Sequence, residues 1–150
     1  MEFKSNLPIY LQVIDDIKKK IITGTLPLGT KLPSSRELAI QYDINPNTAA
    51  RVYNEMESLG LSYTKRGIGT FVTEDPQVID RLKQERLEKA RTREQIDLAI
   101  RRMENPDEQR VLRLRYLWGL GWIAVGRRMG YSREGAIKIH GRALQNLKIC

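Results

Sequence analysis

A mainly α-helical chain with one small β-hairpin is the architecture that this 150-residue sequence predicts. Three observations point to it. Apolar residues recur at helical spacing along most of the chain. A short strand pattern with glycines at its turn stands near the middle, in LSYT, KRGI and GTFVT. The charge is split: residues 1–75 carry 9 Lys/Arg against 9 Asp/Glu, whereas residues 76–150 carry 17 against 9 and supply the whole net charge of +8. Two different domains are therefore expected, 1–75 and 105–150, with 76–104 as a connecting helix.

The first helix lies in LPIYLQVIDDIKKKIITG, where Tyr10, Ile14, Ile17 and Ile21 share a face and Gly24 ends the segment. After the turn TLPLGTKLP, Ser34 followed by Glu37 three residues later is the capping-box signal that opens a second, short helix. Asp43 tolerates the left-handed conformation of a tight turn, Asn45 can cap the next helix, and Pro46 suits its first position. The third helix should bury Ala49, Val52, Met56 and Leu59 and stop at Gly60.

Helix, helix, tight turn, helix and hairpin are the parts of a winged helix-turn-helix. In that geometry the helix after the turn enters the major groove of DNA with its first residues near base edges. Asn47, Thr48 and Arg51 occupy that place. Each has a plainer reading, since Asn and Thr also favour helix starts and Ser34 can simply serve its own backbone. Gly67 and Gly69 do not make a phosphate loop of the nucleotide-binding kind, because no Lys-Ser/Thr pair and helix follow them.

Residues 7–75 resemble the DNA-binding domain of GntR-family transcription regulators, nearest their short YtrA-type branch. The likeness runs through PIYLQVIDDIKKKIITGTLPLGTKLPSSRELA, INPNTAARVYNEMESLG and KRGIGTFV. It implies DNA contacts by Arg36 of the PSSRELA motif, by Asn47 and Thr48 at the start of the recognition helix, and by Gly67 at the wing tip. Carried along the same motifs, the surface comprises Ser35, Arg36, Asn47, Thr48, Arg51, Lys65, Arg66 and Gly67, with Arg51 and Lys65 resting on geometry.

Between Pro76 and Asn105 an apolar stripe of Ile79, Leu82, Ile96, Ala99, Ile100 and Met103 is interrupted by Arg86, Lys89 and Arg93. One helix or two fit it. Regulators of the YtrA type dimerise through helices placed after the wing, so a homodimer seam here and a helix lying on its own domain both stand as readings.

The last third repeats the earlier pattern. Asn105, Pro106 and Glu108 signal a helix start, and Val111, Leu112, Leu114 and Leu117 point to a core. A helix, a turn at Gly130 and a helix capped by Ser132 then form a second helix-turn-helix, with Ile139 and Leu144 expected inside. Gly126, Gly130, Tyr131 and Ile139 stand at the offsets held by Ala39, Asp43, Ile44 and Val52 in the first. Residues 94–149 resemble sigma-factor region 4 and the phage-associated sigma-like proteins, through EQRVLRLRYLWGLGW and GYSREGAIKIHGRALQNLK. The likeness implies Ser132, Arg133, Lys138 and Arg142 as a second set of DNA contacts, with protein docking as the alternative. Where those relatives carry an acidic pair after the Trp, this chain has Ile123 and Ala124, which exposes apolar surface or changes the packing.

Several function classes are disfavoured. One histidine, His140, and one cysteine, Cys150, give neither a zinc cluster nor an internal disulfide. His140 is expected at the surface or packed on a helix, and Trp118 and Trp122 to sit in the core or at helix junctions. No nucleophile, base and orienting group combine into a catalytic site, so neither enzyme activity nor a cofactor is expected. No apolar run reaches the roughly 20 residues of a membrane span, and the N-terminus lacks a signal-peptide pattern, so a cytoplasmic protein is expected. The whole reads as a transcription regulator, a repressor binding double-stranded DNA at a two-fold operator as a homodimer. The alternative is an adaptor whose C-terminal domain docks on RNA polymerase or another protein.

Overall fold

The structure, a computed structural model, describes residues 1–148; Cys150 lies outside the described residues. The chain divides into two compact units, one of Met1–Phe3 and Leu7–Arg86, the other of Lys4–Asn6 and the chain from Leu87 onward. The division falls inside a single helix, so the expected connector lends one end to each unit.

In the first unit α1 (Ile9–Ile22) buries Val13, Ile14, Ile17 and Ile21, one residue per turn or near it. Around this stripe pack Leu38 and Ala39 of α2 (Ser35–Tyr42), Val52 and Met56 of α3 (Pro46–Ser58), and Val78 and Leu82 of α4 (Gln77–Arg101). Both expected caps form. Ser34 and Glu37 close a full capping box, and the Asn45 side chain accepts from the Asn47 N–H.

Leu59 does not join the core; it is 41 % exposed. At that point α3 has ended, Gly60 turns with φ 70°, and the Leu61 N–H bonds back to the Met56 carbonyl. The turn therefore places Leu61, 1 % exposed, in the inward position.

The hairpin pairs β1 (Ser62–Lys65) with β2 (Gly69–Val72) in antiparallel register from Ser62↔Val72 to Lys65↔Gly69. The other edge of β2 is also occupied: Leu32 N–H donates to the Thr70 carbonyl at 2.8 Å and Val72 N–H to the Thr30 carbonyl at 2.9 Å. This third strand-like segment is too short to show alternation in the sequence.

α4 is one helix of 25 residues. Its start belongs to the first core and its end, with Ala99 and Ile100, to the second, while every residue from Arg86 to Gln95 is exposed. In the second unit follow α5 (Pro106–Leu112), a π-helical stretch Arg113–Leu117, α6 (Trp122–Met129) and α7 (Arg133–Asn146). Ile100, Val111, Leu112, Leu114, Val125, Ala136, Ile139 and Ala143 form the core.

The π-helical stretch changes what the end of this segment buries. Its wider turn, closed by Trp118 N–H on the Arg113 carbonyl, shifts the helical phase by one residue. Leu117 is half-buried and packs against the core as expected, whereas Trp118, which ends the π-helical stretch at the junction before α6, is 59 % exposed instead of in the core. Leu144, expected inside, is exposed, because Ala143 takes the inward position on α7. Glu108, expected only as a helix-start signal, is buried and accepts hydrogen bonds from Asn146 Nδ2 at 3.2 and 3.0 Å.

Candidate nucleic-acid interface

The corner between α2 and α3 depends on one backbone conformation. Asp43 sits at φ 52°, ψ 54°, in the left-handed region, and the Ile44 N–H then reaches the Ala39 carbonyl at 2.9 Å. Tyr53 braces the corner by donating its hydroxyl hydrogen to the Pro33 carbonyl, which ties α3 to the residue before the α2 cap. Burial pushes the Tyr53 phenol far above its ordinary range, so it stays a donor. Tyr42 braces α1 against α2, donating to Asp16 at 2.6 Å while accepting from Lys20 at 3.1 Å. Neither tyrosine carried a signal in the sequence beyond its apolar spacing.

These caps and braces determine which polar groups remain free. Ser34, Glu37 and Asn45 are consumed by helix ends; the backbone N–H of Ser34 and then its hydroxyl hold the Glu37 carboxyl below its usual range. By contrast the side chains of Arg36 and Asn47 are exposed and, among the described residues, make no hydrogen bond or ion pair. Ser35 and Thr48 are half-buried at the starts of α2 and α3.

Arg51 is exposed but not idle. Its guanidinium carbon lies 3.9 Å from the Tyr10 ring centroid, a cation–π contact that orients the group and leaves its charge unneutralised.

On the wing, Lys65 Nζ lies 5.2 Å from the Phe71 ring centroid and 5.7 Å from that of Tyr63, and those two rings stack on each other. Arg66 is exposed without a partner among the described residues. Gly67 adopts φ 78° with open space where a Cβ would stand, so the backbone angle alone calls for glycine there. Lys31 adds a cation that the sequence reading missed: its Cε would be 2.8 Å from a Cβ at Gly69. It belongs to the short segment alongside β2, where no periodicity marks it.

The second corner is built likewise. Gly130 has φ 76°, and the Tyr131 N–H bonds the Gly126 carbonyl at 2.9 Å, the same five-residue span as Ile44 to Ala39. Gly126 is required by space: a Cβ there would stand 2.8 Å from the Tyr131 carbonyl oxygen. Tyr131 departs from its counterpart Ile44, being 44 % exposed, with its hydroxyl donating to Asp107 at 2.9 Å. Ser132 is committed to capping, accepting from Gly135 N–H. Arg133 pairs with Glu134 at 3.4 Å, while Lys138 and Arg142 are exposed.

Nearby, His140 Nε2 is 2.9 Å from the Tyr116 hydroxyl and its ring meets the Trp122 edge, with centroids 4.8 Å apart. Burial and then the Arg115 charge press its pKa below the ordinary value. Ile123 is 61 % exposed and Ala124 half-buried.

Among the described residues no helix is long and apolar enough to cross a membrane, and no His/Cys/Asp/Glu group has the makings of a metal site.

Residues 9–72 match the family described as bacterial regulatory proteins, gntR family. Over 82 residues the chain is 50 % identical to YhcF, an uncharacterized HTH-type transcriptional regulator of Bacillus subtilis, an alignment covering 55 % of this chain and 68 % of that protein. It is 43 % identical over 72 residues to the HTH-type transcriptional repressor YtrA of the same species, covering 48 % and 55 %. Among solved structures, a GntR family transcriptional regulator from Listeria monocytogenes shares 39 % identity with a TM-score of 0.57, covering 60 % of this chain and 79 % of its own. A transcriptional regulator from Oenococcus oeni shares 35 % with a TM-score of 0.58, covering 69 % and 87 %. The chain thus spans about two thirds of the first Bacillus relative and just over half of the second.

Proposed function

The chain belongs to the GntR family of bacterial transcription regulators, and on that premise we propose that it is a repressor that binds a two-fold DNA operator as a homodimer. DNA-binding transcription regulation is common ground with its relatives, among them a B. subtilis protein named as a repressor. The finer reading is carried by one observation. At the Asp43 corner Ser34, Glu37 and Asn45 supply the side-chain caps of α2 and α3, and the adjacent Arg36 and Asn47 side chains are left exposed and uncommitted. Side chains that serve neither core nor cap at two helix starts are available to a ligand.

In this reading Ser35 and Arg36 take phosphates at the start of α2, and Asn47 and Thr48 face base edges from the start of α3. Arg51, oriented by Tyr10, and Lys65 and Arg66 with the Gly67 backbone on the wing add phosphate contacts. Two copies reading two half-sites would cover a promoter and block polymerase.

Selection of bound duplexes from a random pool, followed by anisotropy titrations across salt, tests this. A two-fold consensus is expected, with log K falling by about 0.9 per decade of salt for each phosphate neutralised, hence a slope near −3.6 per monomer for about four contacts. Asn47→Ala or Thr48→Ala should relax preference at one or two base pairs, each worth roughly 1–3 kcal/mol. Affinity that is flat with salt, or selection of no consensus, would overturn the proposal.

A second reading has its own support. The C-terminal unit exposes two large apolar side chains, Trp118 at 59 % and Ile123 at 61 %, of the kind that a protein partner covers. As a sigma-region-4-like helix-turn-helix it would present Ser132, Arg133, Lys138 and Arg142 to DNA; as an adaptor module it would dock on RNA polymerase through the apolar residues. Pull-down of purified polymerase subunits by the full chain and by its Trp118→Ala variant separates the two.

A further inference from the structure

Glutamates stand at the third position of both α2 and α5, and they behave differently. Glu37 reaches back to the Ser34 N–H at 2.7 Å and completes a capping box. Glu108 has the same position relative to its cap Asn105, but its side chain turns away and is 6 % exposed. It lines a cavity of about 640 Å³ bounded by the end of α4, the start of α5 and the end of α7. That volume is typical of small-molecule sites.

The cavity combines an apolar floor with a deep negative charge. Ala99 and Met103, both buried, line it beside the Glu108 carboxylate. Among the described residues, the partner of both carboxylate oxygens is one neutral amide nitrogen, Asn146 Nδ2. A carboxylate has about four acceptor sites, so capacity remains. No Lys or Arg lies within ion-pair distance among the described residues, and the first turn of α5 offsets only part of the charge. A buried charge without a counter-charge is costly, and an entering cation relieves that cost. Arg102 and Lys148, which also line the cavity, are exposed and screened by solvent.

We propose that this cavity binds a small organic cation, an ammonium or guanidinium group on a short apolar body, with the cation on Glu108 and the body on Ala99 and Met103. The inference is independent of the DNA-binding reading.

The test titrates the ¹⁵N-labelled full chain with n-butylammonium and n-butylguanidinium, using butyrate and 1-butanol as matched controls. Saturable shift changes are expected for the cations, concentrated at residues 99–108 and 145–148, with butyrate producing none. Glu108→Gln, nearly isosteric, should weaken cation binding about tenfold or more while keeping its circular dichroism spectrum. Absence of saturable binding, shifts centred elsewhere, equal binding of butyrate, or unchanged affinity in folded Glu108→Gln would each overturn the proposal. The shift map needs no variant, so a Glu108→Gln protein that fails to fold leaves the test intact.

Discussion

At Asp43 and at Gly130 the backbone makes the same left-handed turn between two helices, and both turns are tied by an N–H to a carbonyl five residues back. What surrounds the two corners differs. The first carries a wing, full caps and uncommitted polar side chains at its helix starts; the second has a paired Arg133, a Tyr131 bonded to Asp107, and exposed Trp118 and Ile123. The corner is thus a packing solution for joining two short helices, and the groups placed around it decide what it touches.

The two corners should part most widely on DNA. Replacing Arg36 and Arg66 together by Ala should lower operator affinity by about 10- to 100-fold. Replacing Arg133, Lys138 and Arg142 by Ala should change it by about threefold or less, as read by anisotropy at fixed salt. Equal losses would make both corners DNA readers.

Next in size is Gly126→Ala, which drives a Cβ into a backbone oxygen that cannot swing aside. A loss of about 1–3 kcal/mol is expected in urea unfolding of the second unit. At the first corner the matching position is already Ala39, which is where the two packings part.

Gly130→Ala meets no atom within 4 Å, so only the left-handed angle is penalised, by about 1–2 kcal/mol. Asp43→Gly should shift stability by no more than about 0.5 kcal/mol, since the strain it relieves offsets the entropy that glycine adds to the unfolded chain.

The smallest effect concerns acid. His140 has its pKa depressed by burial and Arg115, so as pH falls through the ordinary value of 6.5 the unfolded chain takes up its proton first. Stability of the second unit should therefore decline from about pH 6.5 downward and level off below the folded pKa. His140→Phe should flatten that decline in thermal melts across pH.

Local chemistry was legible in the residues. Ser34 with Glu37, Asn45 with Pro46, Asn105 with Pro106, and Ser132 all mark helix starts where the structure has them, because capping acts over two or three residues. Asp43 and Gly130 were readable as left-handed turns for the same reason. What escaped depends on distant partners or on a shift of phase. Segment 30–32 becomes strand-like only because β2 is beside it. Arg51 lies on Tyr10, some forty positions away in sequence. The π-helical turn moves Trp118 off the face that a 3.6-residue period assigns. Glu108 looked like a cap because its spacing from Asn105 is right, while Asn146, which takes it instead, comes from another helix.

The long helix α4 has a consequence for when and where the molecule opens. From Arg86 to Gln95 its residues are exposed on every side, so its backbone bonds there are sheltered by little beyond the helix itself, which is made of good helix formers such as Leu87, Glu88, Lys89 and Ala90. Amide hydrogens in this stretch should trade with solvent deuterium well before those at Ile14, Val52 or Val111, whose release requires a whole core to come apart. A protease admitted to the folded protein would find its earliest cut among the arginines and lysine of this segment, and the apolar cores on either side of the cut would each stay whole.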